Sequence, residues 1–308
     1  MTEGRTLSPK PRLSIVLPAK NEAVGLGKLL PNLQAVLPVD AEIIVVNDGS
    51  GDETASIATE HGAKVITHPY SMGNGAAIKS GARAAEGEVI VFMDADGQHD
   101  PRDIERLLTK LEDDNFAMVV GARRPSTQAS AGRRIANAFY NRLASVMTGF
   151  KIDDLTSGFR AVRARHFRKF LYLLPNGFSY PTTSTMAFFR SGLPVGYIPI
   201  DASAREGKSK IRLLHDGTRF LIIILKVGAL FSPMRFFLPV SGALFSIGIL
   251  YYGYTYLNEG RFTNMGALLF LSALSTFLIG LLSEQVSSLH YRGLDEDHRR
   301  TARDEAPE

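Results

Sequence analysis

The sequence predicts an α/β domain with a mostly parallel sheet, followed by an interfacial amphipathic helix and a hairpin of two transmembrane helices. Three observations lead to this prediction. Short β-branched runs alternate with helical patterns over residues 13–210, acidic residues follow several of these runs, and two long uncharged stretches lie near the C terminus. The mean hydropathy of +0.01 also suits a polar part joined to an apolar part.

The predicted strands and helices alternate in the polar part of the chain. Five runs indicate buried strands: Leu13–Leu17, Glu42–Val46, Lys64–Thr67, Glu88–Met93 and Ala117–Val120. Four helical patterns lie between them: Glu22–Leu37, Asp52–His61, Gly75–Glu86 and Pro101–Leu111. This alternation predicts parallel strands, with ligands bound beyond their carboxyl ends.

Residues 236–290 contain the predicted transmembrane hairpin. Phe236–Leu257 and Phe262–Ser283 carry no charged side chain. At a rise of about 1.5 Å per residue, each run is long enough to cross a hydrocarbon core about 30 Å thick. Two buried helices of a soluble core are the weaker alternative, because such helices seldom stay uncharged over this length.

The segments flanking the hairpin predict its orientation. Arg261 is the single basic residue of the linker, whereas basic residues precede and follow the hairpin: Arg212, Arg219, Lys226 and Arg235 before it, and Arg292, Arg299, Arg300 and Arg303 after it. The positive-inside rule therefore predicts both termini in the cytoplasm, in an inner or plasma membrane. Within residues 211–235, one basic helical face predicts an interfacial helix. Residues 1–12 lack a secretory signal and are expected to be disordered. The charged cytoplasmic tail covers residues 291–308, and its part from Asp295 to Glu308 is also expected to be disordered.

Composition excludes several classes of protein. The chain has no cysteine, which rules out disulfide scaffolds, cysteine-ligated metals and thiol catalysis. A net charge of +4 without a Lys/Arg block gives no indication of nucleic-acid binding. Gly73 and Gly75 begin a helix, but Ile78 stands where a dinucleotide fingerprint needs glycine, and no Walker A sequence is present.

Polar residues follow three of the predicted strands. They are Pro18–Glu22, Asn47–Asp52 and Asp94–Gln98. Asp52 is expected only to cap a helix, but three acidic clusters at one sheet edge are more than capping requires. Asp94 and Asp96 offer the hard oxygen ligands that suit Mg²⁺ or Mn²⁺, and such an ion would in turn hold phosphates.

Four motifs in this order resemble family-2 glycosyltransferases: Leu17-Pro-Ala-Lys-Asn-Glu22, Val46-Asn-Asp-Gly-Ser50, Phe92-Met-Asp-Ala-Asp-Gly-Gln-His-Asp-Pro101 and Asp154-Leu-Thr-Ser-Gly-Phe-Arg160. Within that family the chain is most similar to polyprenyl-phosphate glycosyltransferases, namely dolichyl-phosphate mannose synthases and bactoprenol glucosyltransferases. The similarity covers nearly the whole chain, because bacterial members also carry an interfacial helix and a C-terminal hairpin. It implies a GT-A fold and inverting transfer of a hexose from a UDP- or GDP-linked donor to undecaprenyl or dolichyl phosphate. It also implies a homotetramer.

The resemblance assigns roles to residues on the donor side. It places Asp94, Asp96 and Gln98 on a Mg²⁺ or Mn²⁺ ion at the donor diphosphate, with Asp96 as a catalytic residue. It places further residues on the nucleotide sugar: Pro18, Ala19, Asn21, Glu22, Asp48, Ala95 and Lys79. For Lys79, a solvated helix lysine is an equally good interpretation.

On the acceptor side, the resemblance implies that Asp154 or Asp153 lies near the acceptor or the sugar, and the sequence does not choose between them. Some bacterial relatives carry an acidic residue where this chain has Gly158. Contacts to the lipid phosphate or diphosphate are implied for Arg123, Arg133, Arg134, Arg160, Arg205, Lys208, Ser209 and Lys210. Attraction to membrane headgroups is the alternative for the basic residues, and Arg160 could instead anchor its loop.

The implied mechanism needs no strong general base, because the acceptor phosphate is already an anion and the metal stabilises the departing diphosphate. A processive polysaccharide synthase is excluded, since its QxxRW motif needs tryptophan and this chain has none. A family-2 transferase with another acceptor and a non-catalytic, membrane-anchored nucleotide-sugar scaffold remain as alternatives. In the hairpin, Gly242, Ala243 and Gly248 are small enough to allow close helix approach.

Overall fold

The structure is a computed structural model that describes residues 11–124, 131–177, 179–201, 222, 233–261 and 263–304. Several sequence-based expectations lie outside the described residues. They are the loop at 125–130, the contacts of Arg205, Lys208, Ser209 and Lys210, and nearly all of the predicted interfacial helix. Arg133 and Arg134 lie in a helix, but their side chains are also outside the description.

One seven-stranded sheet organises the described part of the chain that precedes the hairpin. Its strands are β1 (Leu13–Ala19), β2 (Glu42–Asn47), β3 (Lys64–Thr67), β4 (Val89–Phe92), β5 (Met118–Arg123), β6 (Arg160–Arg163) and β7 (Val195–Ile200). Their order across the sheet is β3-β2-β1-β4-β6-β5-β7. Only β6 runs antiparallel to its neighbours β4 and β5. The prediction of a mostly parallel α/β sheet is therefore confirmed, and β6 and β7 are additions that the sequence analysis missed.

Nine α-helices are found in the described residues: α1 (Ala23–Val36), α2 (Thr54–Glu60), α3 (Asn74–Ala84), α4 (Asp103–Asp113), α5 (Ala131–Thr148), α6 (Ala164–Arg168), α7 (Tyr180–Arg190), α8 (Pro233–Glu259) and α9 (Asn264–Asp304). A 3₁₀ turn at Leu171–Leu173 separates α6 from α7. The sequence of α4 illustrates why these helices form. It buries Ile104, Leu107 and Leu111 at helical spacing, and its first turn carries acids that complement the helix dipole.

The register of the parallel strands brings their carboxyl ends to one edge of the sheet. Ala19, the last residue of β1, pairs with Asn47 at the end of β2. Phe92 at the end of β4 pairs with Val16, so the chain after β4 runs beside the last residues of β1. The strand centres are fully buried, for example at Ile15, Val45 and Val91, so side chains at this edge rest on a packed support.

Helices α8 and α9 form the hairpin. The segments Pro233–Asn258 and Asn264–Ser288 are long and apolar enough to cross a membrane, and only 11% and 17% of their most apolar windows are buried. A core helix of a soluble protein would be mostly buried, so these exposed apolar surfaces suit lipid. Tyr254 and Tyr256, both exposed, lie near the interhelical linker, where aromatic residues favour a membrane interface.

The two hairpin helices contact each other through small residues and through interhelical hydrogen bonds, one of them from the Met234 amide to Glu284 Oε2 at 3.3 Å. Ser241 Oγ donates to the Ala273 carbonyl over 2.8 Å. A Cβ atom at Gly280 would lie 2.6 Å from Phe237 Cβ, and one at Gly248 would lie 3.1 Å from the Phe270 ring. Gly248 therefore sits at a close approach, whereas nothing lies within 4 Å of a Cβ atom at Gly242.

Two boundaries differ from the sequence-based domain limits. The chain divides into two compact units, and residues Leu143–Gly149 group with the hairpin unit although they precede it by about 80 residues. Within that unit, Arg235 donates to the Val146 and Met147 carbonyls near the end of α5 over 3.2 and 3.3 Å. Helix α9 also continues to Asp304, where disorder was expected from Asp295. Acids and bases at i, i+4 spacing, as in Asp295 and Arg299, favour that continuation.

Candidate active site

A cleft of about 370 Å³ opens at the carboxyl edge of the sheet. The residues that line it are Pro18, Ala19, Lys20, Glu22, Asp48, Ser71, Gly73, Asn74, Ala77, Asp94, Ala95 and Asp96. Most of the residues expected on the nucleotide sugar, those after β1, β2 and β4, therefore lie together in one place. Lys20 and the residues between β3 and α3 were not among the expected site residues. The β3–α3 connection was foreseeable, because β3 is a parallel neighbour of β2 and ends at the same edge.

Asp48 holds one wall of the cleft in place. Its Oδ1 accepts hydrogen bonds from His68 Nδ1 at 2.8 Å and the Met72 amide at 2.7 Å. Its Oδ2 accepts from Ser71 Oγ at 2.8 Å and the Gly73 amide at 2.9 Å. Burial alone would raise the pKa of Asp48, but these donors outweigh burial and lower it. A carboxylate has about four acceptor positions, so a ribose or base that bonds Asp48 must displace one of these protein donors.

Asn21 and Glu22 take different positions although they are adjacent. Asn21 adopts a left-handed conformation with φ of 55°. Its backbone amide donates to Ser50 Oγ at 3.0 Å, and its side-chain Oδ1 accepts from the Gly51 backbone amide at 2.9 Å. Asn21 therefore ties the loop after β1 to the loop after β2, and it is not among the residues lining the cleft. Glu22 does line the cleft, and its amide donates to Thr54 Oγ1 at 3.0 Å.

Asp94, Ala95 and Asp96 form the floor of the cleft after β4. A Cβ atom at Gly25 would lie 2.6 Å from the Ala95 carbonyl oxygen, so glycine allows α1 to pack directly against this loop. The Gln98 amide donates to Asp96 Oδ1 at 3.2 Å, which steadies the second carboxylate. The Gln98 side chain, expected as a third metal ligand, does not line the cleft.

The donor set of the cleft fits a hard divalent cation that is shared with phosphate. Among the described residues, no group of three or more His, Asp or Glu side chains gathers into a metal cage. Mg²⁺, however, is commonly held by one or two carboxylates, with substrate phosphates and water completing its coordination. The cleft also has four carboxylates in its lining, Glu22, Asp48, Asp94 and Asp96, against one cation, Lys20. An anionic ligand would therefore meet net repulsion from this lining.

Asp154 and Asp153 differ in burial and in bonding. Asp154 is 4% exposed and forms an ion pair with Arg123. Arg123 Nε donates to its Oδ2 at 2.8 Å and Arg123 NH2 to its Oδ1 at 3.0 Å. The Thr156 and Ser157 amides also donate to Oδ1 at 3.0 and 3.1 Å. Asp153, in contrast, pairs at 2.9 Å with a largely exposed Lys151 and keeps 40% of its side chain exposed.

These contacts settle what Asp154 and Arg123 do in the fold. Burial would raise the pKa of Asp154, but the hydrogen bond and charge of Arg123 lower it. An ionised carboxylate with every oxygen committed to donors is poorly placed to take a proton. The Arg123 guanidinium is likewise occupied by Asp154 and by Thr156 Oγ1 at 2.5 Å. The pair closes the loop that leads into β6.

Arg160 has a different environment from the phosphate contact that the resemblance implied. It is fully buried, with 0% exposure. Its NH1 donates to the Pro181 carbonyl at 3.1 Å and to Ser184 Oγ at 2.9 Å, and its NH2 donates to the Ser157 carbonyl. A phosphate would have to replace these partners in the protein interior. The alternative that Arg160 anchors its loop agrees with this geometry, through hydrogen bonds and not through a salt bridge.

Lys79 is bound to the protein and lies outside the cleft lining. Its Nζ donates to the Leu174 carbonyl at 3.1 Å and to Asn176 Oδ1. Burial and the neighbouring Arg83 lower its pKa. The Gly75 and Ala76 amides at the start of α3 donate to the carbonyls of Gly177 and Asn176 at 3.0 and 2.9 Å. The 174–177 loop thus occupies both the lysine and amides that a phosphate would otherwise use.

His99 lies beside the proposed metal loop but is enclosed by protein. It is 6% exposed and stacks on Phe159 with ring centroids 4.9 Å apart. Burial lowers its pKa to about 4, so the ring is neutral at neutral pH. Its Nδ1 has no hydrogen-bond partner within the part of the chain that the structure describes. His99 is therefore mainly a packing residue in this structure.

A mostly parallel sheet with paired carboxylates in the cleft at its carboxyl edge is the arrangement expected of a GT-A glycosyltransferase. The chain belongs to glycosyl transferase family 2, whose model matches residues 14–171. Residues 232–289 match a second model, the GtrB C-terminal hairpin. The family resemblance and the GT-A fold expected from the sequence are confirmed.

Two curated relatives of the chain are named as enzymes that act with polyprenyl phosphates. The chain is 30% identical to an undecaprenyl-phosphate 4-deoxy-4-formamido-L-arabinose transferase of Pseudomonas fluorescens, over 78% of this chain and 71% of the relative. It is 26% identical to a dodecaprenyl-phosphate galacturonate synthase of Rhizobium johnstonii, over 91% of this chain and 89% of the relative. An uncharacterized protein of Methanocaldococcus jannaschii is 33% identical over an aligned stretch that covers 49% of this chain and 65% of that protein.

Solved structures support the fold. Glucosyl-3-phosphoglycerate synthase from Mycobacterium tuberculosis, crystallised with Mn²⁺, UDP and glucosyl-3-phosphoglycerate, superposes with a TM-score of 0.58. The match covers 71% of this chain and 80% of that chain at 21% sequence identity. At this identity the likeness shows the fold alone.

Proposed function

We propose that the protein transfers a hexose, with inversion, from a UDP- or GDP-linked donor to undecaprenyl or dolichyl phosphate at the cytoplasmic membrane face. One observation carries the proposal: a cleft containing Asp94 and Asp96 belongs to the same chain as an apolar hairpin that matches the GtrB C-terminal hairpin model. The relatives named for undecaprenyl and dodecaprenyl phosphate support the acceptor class. A lipid phosphate lies at the headgroup plane, which explains why the enzyme needs a membrane anchor.

A divalent cation, Mg²⁺ or Mn²⁺, would be held by Asp94 and Asp96, with Gln98 nearby. Bound there, it would neutralise the charge that develops on the departing nucleotide diphosphate. The Mn²⁺ and UDP in the mycobacterial synthase support this assignment. Lys20 supplies the remaining positive charge of the cleft lining, and Pro18, Ala19 and Ala95 bring backbone close to the nucleotide.

The chain's own residues act mainly by positioning. Asp48 shapes the wall from Ser71 to Gly73, against which the nucleotide lies. Asp154 holds Arg123, so we assign it to orientation of the loop before β6 and not to proton transfer. Asp153 keeps a more exposed carboxylate and is the better candidate for contact with the acceptor or sugar. The anionic acceptor phosphate attacks without needing a strong base.

The lipid phosphate needs cationic partners beyond the cleft. We propose Arg133, Arg134, Arg205, Lys208, Ser209 and Lys210 for this role, with the interfacial helix setting the height of the catalytic domain. The basic flanks of the hairpin support a cytoplasmic location for both termini. Assembly as a homotetramer through the hairpins is also part of the proposal.

A donor panel tests the function. Purified full-length protein is incubated with Mg²⁺ or Mn²⁺, undecaprenyl phosphate and one radiolabelled donor at a time: UDP-glucose, UDP-GlcNAc, UDP-galacturonate or GDP-mannose. UDP-4-deoxy-4-formamido-L-arabinose, a pentose donor, is added as a further arm, and transfer from it would keep the lipid acceptor but reject the hexose. We expect labelled lipid with one donor and its loss in EDTA. Asp96→Asn should abolish the product, whereas Asp100→Asn, which alters an ion pair with a well-exposed Arg102, should not. Nucleotide-sugar binding without lipid product from any donor would point to another acceptor or a non-catalytic scaffold.

A further inference from the structure

Two buried residues that do not line the cleft, Gly158 and Tyr180, lie close to the carboxylate of Asp94. A Cβ atom at Gly158 would lie 3.0 Å from Asp94 Oδ2 and 3.2 Å from the Tyr180 hydroxyl oxygen. Gly158 thus places bare backbone against the carboxylate, and the Tyr180 hydroxyl borders the same space. Even a methyl group at this position would press on Asp94.

Tyr180 is fixed at both ends of its side chain. Its hydroxyl donates to the Gly158 carbonyl at 2.8 Å, and the residue is 1% exposed. Its ring packs edge-on against Phe92, the last residue of β4, with centroids 6.0 Å apart. Tyr180 therefore connects the end of β4, two residues before Asp94, with the backbone that touches the Asp94 carboxylate.

Arg160 joins the two chain segments that form this support. It donates to the Ser157 carbonyl on one segment and to the Pro181 carbonyl on the other, and its guanidinium carbon lies 5.6 Å from the centre of the Tyr180 ring. Ser179, just before Tyr180, has a φ of 91°, a conformation that costs energy for a residue other than glycine. The backbone is thus strained at Ser179, directly before Tyr180 begins α7.

We infer that Tyr180 is a positioning residue for the divalent cation. With Gly158 and Arg160 it holds the Asp94 carboxylate toward the cleft, in the direction needed to bind the ion. This deepens the proposed function, on which it rests, because it adds a support to the same metal site. Partners behind a metal ligand fix its orientation, and their loss typically weakens metal binding about 10- to 100-fold.

The chain offers a matched control for the test. Tyr197 is a second largely buried tyrosine, and its hydroxyl has no hydrogen-bond partner in the described residues. Tyr197→Phe therefore removes the same atom as Tyr180→Phe without breaking a bond. Binding of Mn²⁺ is measured by electron paramagnetic resonance on the full-length proteins, with UDP or GDP present, and thermal unfolding is recorded in parallel.

We expect Tyr180→Phe to raise the Kd for Mn²⁺ about tenfold and to raise the Mn²⁺ concentration needed for half-maximal rate, with kcat recovering at saturating Mn²⁺. Tyr197→Phe should match the wild type. If Tyr180→Phe does not fold, Gly158→Ala is measured instead, and it should weaken Mn²⁺ binding as well. Equal Mn²⁺ affinity in the folded variants and the wild type would overturn the inference.

The readouts separate this inference from the proposed function. Weaker Mn²⁺ binding in Tyr180→Phe, without sugar transfer to lipid by the wild type, would retain the positioning role and reject the acceptor. Transfer to lipid with unchanged Mn²⁺ affinity would retain the function and reject the positioning role. Absence of saturable Mn²⁺ binding by the wild type would reject the metal assignment and this inference together.

Discussion

Replacing Asp154 by asparagine should destabilise the catalytic unit much more than the same change at Asp153. The Asp154 carboxylate accepts two hydrogen bonds from the Arg123 guanidinium and further bonds from the Thr156 and Ser157 amides. An asparagine side chain would present an NH₂ group to one set of these donors. It would also leave a half-buried guanidinium, 27% exposed, without its counter-charge.

The size of the effect follows from this burial. Breaking a buried ion pair by removing one partner costs about 3–5 kcal/mol. Because Arg123 keeps some contact with water, we expect the lower end, about 3 kcal/mol. For a unit of this size, that loss corresponds to a fall in Tm of about 6–12 °C. Asp153→Asn alters only an exposed ion pair and should change stability by less than about 0.5 kcal/mol.

Circular dichroism in detergent is the suitable assay, because the chain has no tryptophan for fluorescence. The Asp154→Asn and Asp153→Asn proteins are melted beside the wild type, and sugar transfer is measured on the same samples. A Tm within about 2 °C of the wild type for Asp154→Asn, together with lost transfer, would refute the reasoning. That result would place Asp154 on the substrate and not in the scaffold.

The same pair of proteins gives a pH test with a defined sign. The pKa of Asp154 is lowered in the folded state, because Arg123 outweighs the effect of burial. Its stabilisation is therefore complete above the unfolded pKa of about 3.9 and is lost as the pH falls through the lower folded value. The Tm difference between wild type and Asp154→Asn should be constant above about pH 5 and shrink below about pH 4. A difference that shrinks near neutral pH would contradict this account.

Two further pairs of substitutions test the 174–177 loop, which contacts the start of α3, and the wall of the cleft at Asp48. Gly75→Ala should lower the Tm by the equivalent of about 2 kcal/mol, because a methyl group would overlap the Pro175 carbonyl oxygen. Gly51→Ala is the control, since nothing lies within 4 Å of a Cβ atom there, and it should leave the Tm unchanged. Equal melting curves for the two variants would show that the 174–177 loop moves aside at little cost. Asp48→Asn replaces an oxygen that accepts two hydrogen bonds with an NH₂ donor, and calorimetry should show nucleotide binding weakened at least about tenfold. Ser71→Ala removes one donor to Asp48 and should weaken the free energy of nucleotide binding by about 1 kcal/mol. Unchanged affinity in Asp48→Asn would mean that this wall does not shape the nucleotide site.

Much of the fold could be predicted because hydrophobic runs mark buried parallel strands clearly. The expected strand Lys64–Thr67 coincides with β3, and the other four predicted runs overlap β1, β2, β4 and β5. Strand β6 was missed because its sequence begins and ends with arginine, so its buried character is hidden by Arg160. Strand β7 contains Pro199, which weakens a strand pattern.

The candidate site could be predicted where its residues are contiguous with strand ends. Asp94 and Asp96 follow β4 directly, so topology alone brings them to the edge. The sequence could not separate Asp153 from Asp154, because adjacent carboxylates look alike until burial distinguishes them. Tyr180 gave no signal either, since its proximity to Asp94 arises only when α7 packs behind the sheet. Lys79 was misleading for the same reason: its partners lie about 95 residues away in the chain.

Two arginines that were expected to contact phosphate bind other partners, and this leaves the cleft with an excess of negative charge. Arg123 and Arg160 are committed to Asp154 and to buried carbonyls and hydroxyls, so neither adds a free cation to the cleft. Carboxylates then outnumber Lys20 in the lining, and a nucleotide diphosphate would meet net repulsion. The same carboxylates make the cleft attractive to a divalent cation, which would offset most of this negative charge and would let the cleft hold a diphosphate. On this reasoning the metal is required for donor binding as well as for departure of the leaving group, so EDTA should raise the Kd for the donor and not only stop turnover.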